Sequence, residues 1–95
     1  LFELKRTAGV AAAHGLEPYG GCLLESSIGA AAHLAVFSTL PTLEWGTEHF
    51  GPRILVEDLV TDPLRFEEFE VVIPDGPGLG VTVDHDRVRA YTRKG

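Results

Sequence analysis

Residues 1–53 alternate between helical and extended patterning with short connections, and that alternation restricts the possible folds more than any other feature. Leu1, Leu4, Ala8, Ala11 and Ala12 fall at helical spacing, with Lys5 and Arg6 off that stripe. Gly15 supplies a left-handed stop, and His14 in the last turn suits the dipole there. Gly9 inside the pattern costs about 1 kcal/mol relative to Ala, so this helix leans on packing. Pro18–Leu24 reads as a strand, in which Gly20 and Gly21 suit the close approach of another backbone or a ligand. Ser26 or Ser27 caps a second helix expected over Ser27–Leu40, with Ile28, Ala31, Ala32 and Ala35 on one face and Pro41 as the stop. Leu43–Gly46 reads as a second strand, and Thr47–Arg53 as a loop punctuated by Gly51-Pro52.

Helix, strand, helix, strand in that order predicts an α/β fold with parallel strands. Parallel sheets need cover on both faces and several strands, and closed barrels remove the edges altogether. Only two strands are supplied here, so a slice of a larger assembly is expected, poorly stable by itself. The chain begins with Leu and contains no Met, in keeping with a piece of a longer polypeptide.

The remainder changes character. Ile54–Val60 is apolar with Glu57 and Asp58 near its end, and Asp62-Pro63 marks a turn. Phe69–Ile73 and Val81–Val83 read as strands around the tight loop Asp75–Gly80, and Asp84 caps a last helix over Arg87–Thr92. The tail is therefore expected to be an extended wrapping segment with one β-hairpin.

A formal net charge of -6 over 95 residues argues against nucleic acid or an anionic membrane surface as partner, since both reward clustered cations. The densest basic group, Arg87, Arg89, Arg93 and Lys94, is expected to be a solvated face. Cys22 is the only cysteine, so no internal disulfide can form; this fits a reducing compartment, and a cytoplasmic location is expected. No apolar run approaches the roughly 18–20 residues that span a bilayer.

Glu25 is the leading candidate for chemistry. It stands where a strand gives way to a helix N-terminus, and in parallel α/β folds reactions occur at the carboxyl ends of the strands. A carboxylate there can exchange a proton, anchor a cation, or simply cap its own helix. Glu48 and His49 follow the second strand and form a second candidate group, with a solvated surface loop as the plainer reading. The Gly-x-Gly-x-Gly run in Asp75–Gly80 is no phosphate cradle, because Pro77 removes an N–H and a strand, not a helix, follows. His14, His33, His49 and His85 lack metal-ligand spacing and Cys22 has no thiol partner, so no metal site is expected in this chain. Ser26 and Ser27 lie outside any Gly-x-Ser-x-Gly elbow.

Three stretches carry a resemblance: Gly20-Gly21-Cys22-Leu23-Leu24-Glu25-Ser26-Ser27-Ile28-Gly29, Trp45-Gly46-Thr47-Glu48-His49-Phe50-Gly51-Pro52 and Pro74-Asp75-Gly76-Pro77-Gly78-Leu79-Gly80-Val81. In order and spacing they resemble the C-terminal third of muconate cycloisomerases in the enolase superfamily. The resemblance implies the last two βα steps of a modified TIM barrel in residues 1–53 and a tail, residues 54–95, that returns to the capping region. It implies conversion of cis,cis-muconate or a chlorinated muconate, a small dicarboxylate, to muconolactone through a metal-stabilised enolate. It further implies Mn²⁺ or Mg²⁺ held by residues outside this chain, a lysine outside it that moves the proton, and a homo-oligomeric whole enzyme. On this resemblance Glu25 is catalytic, and Ser26, Ser27 and Glu48 belong to the substrate pocket. His49 and Arg53 stand where the family pattern leads one to expect apolar residues. Two alternatives stay open: another superfamily enzyme, such as a dipeptide epimerase or an o-succinylbenzoate synthase, and a non-catalytic binding module.

Overall fold

A computed structural model describes Leu1–Arg93. Helix α1, Phe2–Ala13, ends in the way its sequence dictates: Gly15 takes a φ of +68°, and the Leu16 and Gly15 amides turn back to the Ala11 and Ala12 carbonyls at 2.9 and 3.1 Å. The protonated Nδ1 of His14 donates to the Val10 carbonyl at 2.8 Å. Leu4, Ala8 and Ala11 are half-buried on the expected stripe, and none of the helix is fully buried.

Strand β1, Gly20–Gly21, pairs in parallel with β2, Thr47–Glu48, in the register Gly20 to Thr47 and Gly21 to Glu48. Between them runs helix α2, Ser27–Phe37. The βαβ order and the parallel pairing are as expected, but the second strand lies beyond Leu43–Gly46. Gly46 has a φ of +70° and its amide closes a turn onto the Leu43 carbonyl at 2.9 Å, so pairing begins only at Thr47. Gly20 is required by crowding: a Cβ there would stand 2.5 Å from Thr47 Cγ2 and 2.9 Å from Phe37 Cε2. Regular pairing within Pro18–Leu24 is confined to those two glycines, and Leu24 adopts a positive φ of 30°.

Helix α2 starts on Ser26, whose hydroxyl accepts from the Ile28 amide at 3.4 Å. It stops three residues short of Leu40, where the Ser38 and Thr39 hydroxyls donate to the Ala35 and Val36 carbonyls. Its buried face is Ser27, Ala30, Ala31, Leu34, Val36 and Phe37, rotated from the expected Ile28–Ala31–Ala32–Ala35 stripe. Ala30, Ala31 and Leu34 pack with Leu64 from the tail, flanked by Phe66, Val71, Leu79 and Val81.

Part of the expected loop Thr47–Arg53 is a helical turn, α3, Gly51–Ile54, opened by Pro52 in its first turn. The hairpin pairs β3, Phe66–Glu67, with β4, Glu70–Val71. Phe69, expected inside a strand, occupies the hairpin turn instead. Glu68 and Phe69 have φ values of 44° and 72°, the double left-handed conformation that matches strand twist in a two-residue connection. Val81–Val83 contributes only an antiparallel bridge from Val83 to Val60.

Asp84 caps the last helix, α4, His85–Tyr91, by accepting from the Asp86 and Arg87 amides at 3.0 and 3.1 Å. The basic group is not uniformly solvated. Arg87 is half-buried, donates to the Asp58 and Val60 carbonyls at 3.1 and 2.9 Å, and meets Glu57 and Asp84. Arg89 pairs with Asp86, and Lys94 lies outside the described residues. No described helix is long and apolar enough to cross a membrane.

Candidate functional site

Alternation along β2 divides the side chains between two faces. Thr47 meets the space above Gly20 and Phe37, and the His49 ring lies 5.6 Å from that of Phe37, so both face helix α2. Glu48 faces the other way: its Oε1 lies 3.5 Å from where a Gly21 Cβ would project. There partial desolvation and then the Glu48 carboxylate push the Tyr19 phenol above its ordinary range.

Glu25 follows β1 at its carboxyl end, immediately before the α2 cap. Two glycines make room for it. A Cβ on Gly51 would stand 2.5 Å from the Glu25 carbonyl oxygen, and one on Gly29 would stand 2.9 Å from Glu25 Cβ and Cγ. The side chain therefore lies along α2 over Gly29, one turn below His33. The Leu23 backbone amide holds its carboxyl below the usual glutamate range against the effect of burial, with Cys22 and His33 adding in the same direction. Its Oε2 is sealed from solvent and meets no donor among the described residues. Burial pushes the neighbouring Cys22 thiol up, and Glu25 adds to that shift.

Ser26 and Ser27 part ways. Ser26 lines a groove of about 370 Å³ with Leu24, Leu55, Glu57 and Tyr91, which neither Glu25 nor Glu48 lines. Ser27 is fully buried and its hydroxyl is already engaged, donating to Asp58 Oδ2 at 2.6 Å and accepting from the Leu64 amide at 3.0 Å. Asp58 also accepts from the Ser27 amide, with both oxygens at 3.1 Å, so a tail carboxylate closes the positive end of α2. Sequence patterning assigned Asp58 no role, because its partner lies 31 residues away.

Burial lowers the His49 pKa, and so does the neighbouring His33; Glu25 and Glu48 oppose them. The shape of the site is thus an ionised Glu25 on the rim, a histidine pair beneath it and Glu48 on the opposite face.

A family model described as "Enolase C-terminal domain-like" matches residues 1–87. The chain belongs to that family. Among relatives of this enolase-like domain, Muconate cycloisomerase 1-1 of Acinetobacter lwoffii is 42% identical over 95 residues, covering all of this chain and 25% of the relative. A chloromuconate cycloisomerase of Cupriavidus necator is 48% identical over 88 residues, covering 93% of the chain and 24% of the relative. The crystal structure of 2-chloromuconate cycloisomerase from Rhodococcus opacus 1CP superposes with a TM-score of 0.93 at 39% identity, covering 99% of this chain and 26% of that one. The chain spans about a quarter of the length of the relatives it matches. The expected fold, an α/β slice of an enolase-superfamily barrel, is the one this superposition gives.

Proposed function

We propose that this chain is the C-terminal part of a muconate or chloromuconate cycloisomerase that converts cis,cis-muconate, or its chlorinated form, to muconolactone. One observation carries the reading. Glu25 stands at the carboxyl end of a parallel strand, beside a helix N-terminus, in a chain whose relatives are named as muconate and chloromuconate cycloisomerases.

Chemistry at Glu25 follows from its charge. A carboxyl held below its usual range is ionised at neutral pH, so it accepts hydrogen bonds and holds a cationic or proton-bearing group; it does not act as a donor. In this reading it orients the lysine that moves the proton, which the family resemblance assigns to a residue outside the chain. In this reading Glu48 borders the substrate pocket of the whole enzyme, whereas Ser26 lines a separate groove and Ser27 is engaged by Asp58 and Leu64.

The divalent ion of this reading, Mn²⁺ or Mg²⁺, does not fit the described residues of this chain. Among the described residues no group of three or more His, Cys, Asp or Glu side chains converges to hold a metal. Residues 1–53 supply barrel steps, residues 54–95 return to the cap, and the whole enzyme is a cytoplasmic homo-oligomer. The test is incubation of the full-length protein with cis,cis-muconate and either metal, following loss of the conjugated-diene absorbance and formation of muconolactone. Turnover supports the reading; a full-length folded protein inert toward plain and chlorinated muconates overturns it.

A further inference from the structure

The contact between α2 and β2 holds a cluster that the proposed chemistry does not use. His49 is 4% exposed, yet neither ring nitrogen has a partner among the described residues. The His33 ring lies 5.8 Å away, edge-on, with a buried Nδ1 in the same state. The unpartnered Oε2 of Glu25 completes the set.

The backbone aims these groups at one another. Glu25 precedes the α2 cap and its side chain lies against Gly29, which stands one turn before His33 on α2 and presents no side chain between the two. His49, the residue after β2, lies on the α2 side of the sheet. Buried polar atoms of this kind are satisfied by one another or by ordered water. Here the capacities are complementary: an acceptor carboxylate and two imidazoles, each of which carries at least one N–H.

We infer that His33 and His49 are positioning residues for Glu25, joined to its carboxylate through ordered water in one buried network that fixes its orientation and its charge. Both histidines come from this chain. The other ionisable groups around it are Cys22, beside Glu25, and Glu48, which acts on His49 from the far face of β2. Arg53 of the adjoining α3 turns its guanidinium onto the Phe66 ring, 5.5 Å from its centre, and is engaged there. Electrostatic influence runs both ways: the His33 side chain favours the Glu25 carboxylate, and the carboxylate favours a protonated His49.

This inference rests on the proposed function only for the consequence at Glu25, so its test reads titration as well as turnover. In the full-length protein, ¹⁵N chemical shifts of the His33 and His49 rings are followed against pH in the wild type and in Glu25→Gln. The His49 midpoint moves down in the variant. In His33→Gln, the Glu25 carboxyl midpoint, read by ¹³C, moves up, and the acid limb of kcat moves up with it while KM holds. A high-resolution crystal structure shows a water within roughly 3.2 Å of Glu25 Oε2 and of an imidazole nitrogen. Histidine curves that superpose in wild type and Glu25→Gln overturn the network, as does a dry cluster. Coupled curves in a protein inert toward muconates would uphold the network and refute the proposed reaction.

Discussion

Replacing Ser27 by Ala separates a structural hydroxyl from a substrate-binding one. The side chain is fully buried and engaged on both sides, by the 2.6 Å bond to Asp58 and the 3.0 Å bond from Leu64. A hydrogen bond to a charged group contributes about 1.5–3 kcal/mol, and a buried donor stripped of its acceptor costs about 1–3 kcal/mol. Ser27→Ala therefore loses about 2.5–6 kcal/mol, a large share of the about 5–15 kcal/mol that stabilises a typical domain. Ser26→Ala gives up only a 3.4 Å cap bond and costs about 0.5–1 kcal/mol, the low end of the range for capping. Equilibrium urea unfolding of the full-length protein, followed by circular dichroism, measures both. With slopes of about 1–3 kcal/mol/M, the Ser27 variant unfolds at least about 1 M earlier. Asp58→Asn combined with Ser27→Ala costs less than the two changes summed, because they break one shared bond. A Ser27→Ala protein within about 1 kcal/mol of wild type, or a costlier Ser26→Ala, would refute the assignment of the hydroxyl to the fold.

Three further outcomes follow from the same geometry. His49 has a depressed pKa, so on acidification the unfolded chain takes up its proton first; stability is lost as pH falls below the unfolded value of about 6.5, and His49→Leu flattens thermal melting between neutral pH and that acid window. The Gly51→Ala variant pushes a Cβ to 2.5 Å from the Glu25 carbonyl oxygen, so turnover falls more than in Gly9→Ala, where the added Cβ meets nothing within 4 Å. Glu68→Asn relieves part of the cost of a left-handed residue in the hairpin turn and raises stability by about 0.5–1 kcal/mol, read from the shift in urea midpoint.

Local signals were legible where one residue carries the physics. The Gly15 stop, the Ser26 cap and the Asp84 cap each depend on neighbours within a few positions, and each forms as its sequence suggests. The parallel pairing was legible too, because alternation of helix and strand leaves few other arrangements. The start of β2 was not: Trp45 and Leu43 look strand-like, and only the left-handed backbone at Gly46 moves pairing on to Thr47. The buried face of α2 turned out rotated because the tail, through Leu64 and Asp58, decides which side is covered. Glu25 was visible from its place between strand and helix. The Ser27–Asp58 clasp and the meeting of His33 with His49 were not, since both depend on α2 docking against elements far along the chain.

The assignment of Glu25 is tested most directly by turnover of cis,cis-muconate in the full-length Glu25→Gln protein beside wild type, with melting temperature measured on the same samples. Loss of the carboxylate that orients the proton-moving lysine lowers kcat by about 10²-fold, and the expected result is a drop of that size with little change in melting. Wild-type turnover in a folded Glu25→Gln protein would contradict it.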